Sequence, residues 1–137
     1  MSPNALNTIE RYYACFNAND HEGMLALLHD EVSHDINQGN TERGKAAFGR
    51  FLKRMDHHYQ ERVVELVIMQ SGNGQRAAAE FRILGQYLRT DDGLPEANGQ
   101  TYDLPVGAFF ALEQGLITRV TNYYNLKDWI AQVGGVA

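Results

Sequence analysis

The sequence predicts an α+β fold, read as one domain over residues 1–137, and three observations carry that expectation. Apolar residues recur at helical spacing as far as Met55. From Arg62 onward the pattern changes to β-branched and apolar runs broken by Gly and Asn. A last helical stripe then runs from Leu126 to Val133.

Taken in order, Ser2 before Pro3 is expected to cap a first helix, with proline in the opening turn. Leu6, Ile9, Tyr13 and Phe16 form its apolar stripe, and Tyr12 borders the same face. NAND ends that helix, and Asp20 caps a shorter one holding Met24, Leu25, Leu27 and Leu28. SHDINQG, Ser33 to Gly39, reads as an early strand running into a polar turn. Ala47, Phe48, Phe51, Leu52 and Met55 make a third helical stripe. Its end carries Lys53, Arg54, His57 and His58, favourable beside the negative pole of the helix dipole. VVELVIMQ is a strand, SGNG a hairpin turn, and AAAEFRILGQYL the returning strand. RTDDGLPEANG is a loop full of breakers. QTYDLPVGAFFAL and LITRVTNYYN are two further strands joined across Glu113, Gln114 and Gly115. Asn125 caps the final helix, whose stripe is Leu126, Trp129, Ile130 and Val133.

Composition narrows the function classes. A net charge of -5 argues against nucleic acid, whose phosphates require clustered Lys and Arg. No apolar run approaches the roughly 20 residues that span a bilayer, so no membrane association is expected. MSPNALNTIERYY lacks the basic-then-apolar pattern of a secretory signal, which leads to a cytoplasmic expectation. Cys15 is the only cysteine, and no four-ligand spacing occurs; neither a metal nor a cofactor is expected. In LPVGAFFAL, Leu104, Val106, Ala108, Phe110 and Leu112 share one face, while Phe109 joins Pro105, Gly107 and Ala111 on the other. Two apolar faces need two covers, and a homodimer through the outer sheet face supplies the second.

YDLPVGAFFALEQGLITRVTNYYNLKDWIAQV resembles the last strands and C-terminal segment of the limonene epoxide hydrolases. RYYACFNANDHEGMLALLHDEVSHD, with RGKAAFGRFL after it, is similar to the front half of the ketosteroid isomerases. Nearly the whole chain thus resembles the nuclear transport factor 2-like superfamily, which also contains the SnoaL-like polyketide cyclases. The resemblance implies a single SnoaL-like domain: a cone-shaped α+β fold whose curved mixed sheet wraps around helices and a deep, mostly apolar internal cavity. It leaves function to be argued from the site.

The isomerase resemblance implies a base at Asp35 and a hydroxyl donor at Tyr12. The second donor's place falls at Gly107 or Ala108, where no side chain can donate. Loss of one such donor typically costs about 2.7–4 kcal/mol of barrier. The hydrolase resemblance implies an Asp–Arg–Asp set. Here Glu80 and Arg82 stand on one strand face in reversed order, and Asn122 replaces the second aspartate. Alternation puts Val32, His34 and Ile36 on one face and Ser33, Asp35 and Asn37 on the other. The apolar pattern favours His34 inward, whereas the resemblance favours Asp35; a bulge would reconcile them. An inward imidazole, with a reference pKa near 6.5, suits proton transfer at neutral pH.

Each candidate has a plain alternative. His34 is a base or a packed structural histidine, and Asp35 a base or an acceptor in the following turn. Glu80 and Arg82 activate water or form a same-face ion pair. Tyr12 and Tyr13 offer hydroxyls to a cavity or simply pack. The catalytic candidates are His34, Asp35, Glu80 and Tyr12; those for lining a substrate are Tyr13, Phe16, Asn37, Arg82, Phe109, Asn122 and Tyr124. The leading expectation is a cofactor-independent enzyme moving a proton on a small apolar carbonyl substrate, by isomerisation or aldol-type cyclisation. Its rivals are an epoxide hydrolase or dehydratase-like enzyme using Glu80 and Asp35, and a non-catalytic module that binds a small apolar ligand.

Overall fold

The structure is a computed structural model and describes residues 5–36 and 39–134. The expected cap at Ser2, Pro3 and the candidate Asn37 lie outside the described residues.

Helix α1 spans Ala5–Asn17 and buries Ala5, Ile9, Tyr12 and Tyr13. Helix α2, His21–Ala26, begins where the Asp20 side chain accepts from the Gly23 backbone N–H at 2.9 Å. The expected α2 stripe runs too far, because Leu28 already opens β1, Leu28–Asp35. There the Leu27 carbonyl accepts from the Ile117 N–H at 2.9 Å, an interaction with a distant strand that local periodicity does not reveal. A short strand β2, Thr41–Arg43, takes part of the expected polar turn. Its polar side chains give no apolar alternation, and its pairing with β1 defines it. Helix α3 is Lys45–His58, followed by β3 (Tyr59–Gln70), β4 (Arg76–Tyr87), β5 (Thr101–Glu113), β6 (Leu116–Tyr123) and α4 (Leu126–Gly134).

The six strands form one curved mixed sheet in the order β2-β1-β6-β5-β4-β3. Only β1 and β6 run parallel; the other neighbours are antiparallel. Gln114 and Gly115, at φ 51° and 80°, form the two-residue β5–β6 turn whose positive φ values match the sheet's twist. Glu65 sits at φ 54° inside β3, where the register with β4 shifts between Val64 and Val67. Such a bulge bends the strand and concentrates curvature there.

The helices cover the concave face. Alternation along β5 buries Tyr102, Leu104, Ala108, Phe110 and Leu112 against them. Burying a side chain such as Ile9 or Phe110 contributes about 1.5–3 kcal/mol. Asn17, at the end of α1, caps the β3 edge: its Nδ2 donates to the Val63 carbonyl at 3.0 Å, and its Oδ1 accepts from Val63 N–H at 2.8 Å. The convex face leaves Val67, Met69, Leu84, Phe109 and Tyr123 exposed. Among the described residues, no helix is long and apolar enough to cross a membrane.

Candidate functional site

Register along β1 decides which of its polar residues faces the core. His34 pairs with Val120 and Asp35 with Thr121 without a break, so ordinary alternation holds and no bulge turns both inward. His34 is 3% exposed, bracketed by Phe48 and Phe51 at ring distances of 4.6 and 4.5 Å. Its Nδ1 is buried without a hydrogen-bond partner among the described residues. Burial lowers its pKa to about 4, a shift partly opposed by the Asp35 charge. The result is a neutral imidazole packed among aromatic rings.

Asp35 lies on the convex face, contrary to the inward placement the isomerase resemblance implies. It accepts from Thr121 Oγ1 at 2.6 Å and Thr41 Oγ1 at 2.8 Å, tying β1 to both neighbours. Those two bonds, rather than the nearby Arg119 and His34, chiefly hold its carboxyl below the usual range. Glu80 is also on the convex face, opposite Val67 and Gly107, and is exposed. Arg82 shares that face, but its Nε pairs with Asp103 Oδ1 at 2.7 Å instead of with Glu80. Phe109 is 45% exposed beside Tyr123. Glu80, Arg82, Asp35 and Phe109 are thus separated from the interior by the sheet itself.

The other candidates face inward. Tyr12 and Tyr13 meet edge to face at 5.1 Å and pack on Phe110 and Phe81. Burial raises both phenol pKa values, and the Tyr13 hydroxyl has no hydrogen-bond partner among the described residues. Asn122 is opposite the fully buried Ala108, and Tyr124 packs half-buried against the core. Of the sequence candidates among the described residues, only Phe16 lines the interior hollow. That hollow, about 50 Å³, is bounded by Phe16, Met24, Leu52, Met55, Tyr59 and Glu61, with Asn19, His21 and Asp56 at its polar side. It is far smaller than the roughly 300–1,000 Å³ of ordinary small-molecule sites. The rings of Tyr12, Tyr13, Phe48, Phe81 and Phe110 fill much of the concave side.

Sequence reasoning did not single out Glu61, which lines the hollow. Its row across the sheet is Glu61, Gly85 and Tyr102, on β3, β4 and β5. Tyr102 donates its hydroxyl to Glu61 Oε2 at 2.6 Å. Burial pushes the Glu61 carboxyl above its usual range, and the Tyr102 bond partly counters that by favouring the charged form. Glu61 also borders an open groove of about 400 Å³ with Asn17, Gln60, Arg62 and Gln86. One row further on, Tyr59 stacks on Tyr87 at 5.4 Å, Trp129 of α4 stands against both, and the Tyr59 hydroxyl donates to Asp91 at 2.8 Å. Gly85, a lone glycine inside a strand pattern, was the available signal of a close approach. Among the described residues, no cluster of three His, Cys, Asp or Glu side chains is placed to hold a metal.

Residues 9–120 match the family model of the SnoaL-like domain. Among solved structures, a protein from Pseudomonas putida KT2440 proposed as a polyketide cyclase is 55% identical, with a TM-score of 0.93 over 95% of this chain and 98% of that one. Another proposed polyketide cyclase, from Xanthomonas campestris pv. campestris, is 52% identical, with a TM-score of 0.91 over 93% of this chain and 95% of that one. A nuclear transport factor 2-like protein from Burkholderia pseudomallei K96243 shares the fold at 19% identity, with a TM-score of 0.77 over 97% of this chain and 98% of that one. No curated protein matches the chain.

Proposed function

Because this chain belongs to the SnoaL-like domain family, we propose that it is a cofactor-independent enzyme that moves a proton on a small carbonyl compound, with Glu61 as the base. The observation that carries this reading is a carboxyl with raised proton affinity, held by a tyrosine hydroxyl at 2.6 Å, in the wall of the concave hollow. Such a carboxyl is a better general base near neutral pH than an exposed one, because its proton affinity lies closer to the working pH.

The chemistry follows from that group. With Tyr102 occupying Oε2, Oε1 is left to take the proton from the carbon beside a carbonyl. The C–H electron pair moves into the adjacent carbon–carbon bond, and the carbonyl oxygen gains the charge. Return of the proton to a different carbon gives isomerisation. Attack of the enolate carbon on a second carbonyl of the same molecule gives a ring, and the Glu61 proton then neutralises the new alkoxide. The similar structures proposed as polyketide cyclases support the second outcome. Entry of substrate requires the hollow to widen, and Met24 and Met55 in its wall are flexible side chains suited to that.

The test is proton exchange on a panel of β,γ-unsaturated ketones and linear diketones in D₂O, followed by NMR. Glu61→Gln is expected to slow exchange by about 10²–10⁴-fold, the usual contribution of a positioned base. Equal exchange by wild type and Glu61→Gln would refute the assignment. The narrow hollow favours a second reading, a binding module without turnover; a co-purified ligand seen intact by native mass spectrometry after prolonged incubation would support it.

Surface chemistry also supports a partner. Val67, Met69, Phe109 and Tyr123 leave an apolar patch on the convex face, suited to a second copy of the chain. Light scattering at micromolar concentration is expected to give a dimer's mass, and a monomer would exclude it.

A further inference from the structure

We propose that Gly85 is a positioning residue for the Glu61 site: by carrying no side chain it lets Tyr102 lie across β4 and hold Glu61. This rests on the reading of Glu61 as the base and adds how the sheet constructs it.

Glu61 and Tyr102 are not ladder neighbours. They pair with Gly85 from opposite sides, so two strand spacings of about 4.8 Å each lie between their backbones. Only a long side chain laid flat over the central position can bridge that gap. Tyr102 does so, and its hydroxyl reaches Oε2 at 2.6 Å. A Cβ on Gly85 would collide with the Cζ, Cε2 and hydroxyl of that ring. Those are atoms of a rigid ring, and Trp129 of α4 stands edge-on to it at 5.9 Å, limiting retreat.

Backbone conformation gives no other reason for glycine here. Gly85 is absent from the glycines at positive φ, whereas Gly115 and Gly74 have φ of 80° and 71° in turns. Space, rather than dihedral freedom, is what the residue supplies. Gly107 is the internal contrast: it too lies within a strand without positive φ, and a Cβ there would meet nothing within 4 Å.

The readout is the titration of Glu61, followed by carboxyl ¹³C NMR, which needs no substrate. Across the hollow it faces His21 of α2 and Asp56 of α3, with Tyr59 on its own strand and Tyr102 on β5. Tyr102→Phe is expected to move the Glu61 midpoint upward, because the bond to the charged form is lost. Gly85→Ala is expected to move it upward too, although the Tyr102 hydroxyl remains. In the Tyr102→Phe background, Gly85→Ala should add nothing; Gly107→Ala should leave the midpoint unchanged. A wild-type midpoint in Gly85→Ala, or an equal shift in Gly107→Ala, overturns the proposal. Should Gly85→Ala fail to fold, Gly85→Ala with Tyr102→Leu removes the ring and is expected to recover a higher thermal midpoint. A double variant no more stable than Gly85→Ala overturns it as well. Failure of Glu61→Gln to slow exchange would refute the base assignment while leaving this titration result intact, so the two failures are distinguishable.

Discussion

The two ends of the concave face treat a buried ionisable group in opposite ways. At the β1 end, His34 sits between Phe48 and Phe51 with Nδ1 unpartnered, and burial lowers its pKa to about 4. At the β3 end, Glu61 has a tyrosine donor at 2.6 Å and borders a hollow. Desolvation pushes both toward the neutral form; the Asp35 charge only partly opposes this at His34, whereas Glu61 has a hydrogen-bond donor on its charged form. Burial alone makes a packed residue; burial with a hydrogen-bond donor and adjacent space makes a candidate base.

The largest expected effect breaks this contrast most directly. Glu61→Gln should lower proton exchange by about 10²–10⁴-fold, whereas His34→Leu should retain wild-type exchange to within about threefold once folded. Comparable losses in both, measured by NMR in D₂O, would erase the distinction between the two ends.

The next effect is on stability against pH, and its sign differs between the ends. Unfolded His34 takes a proton near pH 6.5, but the folded ring resists until about pH 4. Stability therefore falls as pH drops through that window, by about 3 kcal/mol in total. Glu61 acts the other way: its folded carboxyl binds a proton more readily than the unfolded one, so its ionisation at higher pH is destabilising. Urea denaturation from pH 7 to pH 4 should show a flatter decline in His34→Leu and a steeper one in Glu61→Gln. An unchanged slope in His34→Leu would contradict the buried neutral imidazole.

Most of the architecture could be read from periodicity because apolar stripes report directly on which face is buried. The α1, α3 and α4 stripes, and the alternation of Leu104, Ala108, Phe110 and Leu112, were visible that way. β2 was not, since three polar residues at a sheet edge bury no apolar face. The site was harder to read because its parts meet only through register. Glu61, Gly85 and Tyr102 are far apart in sequence and become one row only when β3, β4 and β5 align. Glu80 and Arg82 attracted notice through their spacing along one strand, but spacing could not tell which face of the sheet would be covered. His34 and Asp35 posed the same problem, and a register with β6 that runs continuously from Ser33 to Asp35 resolved it.

The smallest expected effect sharpens the comparison at that β1 end, where neighbouring residues serve opposite faces. Asp35 accepts from Thr121 and Thr41 on the convex side, in a partly exposed setting that weakens each bond. Asp35→Asn keeps the shape and one acceptor oxygen but loses the charge, so the expected cost at pH 7 is about 1 kcal/mol. The folded carboxyl titrates below its ordinary value of 3.8, so this contribution is intact above that pH and is lost as pH falls through the lower folded value. The His34 contribution, by contrast, has already been lost by about pH 4. In urea titrations, wild type and Asp35→Asn should differ at pH 7 and pH 5 by the same amount and converge only in stronger acid. Convergence already between pH 6 and pH 5 would mean that Asp35 stabilises the fold through a charged His34, placing the imidazole in contact with water after all.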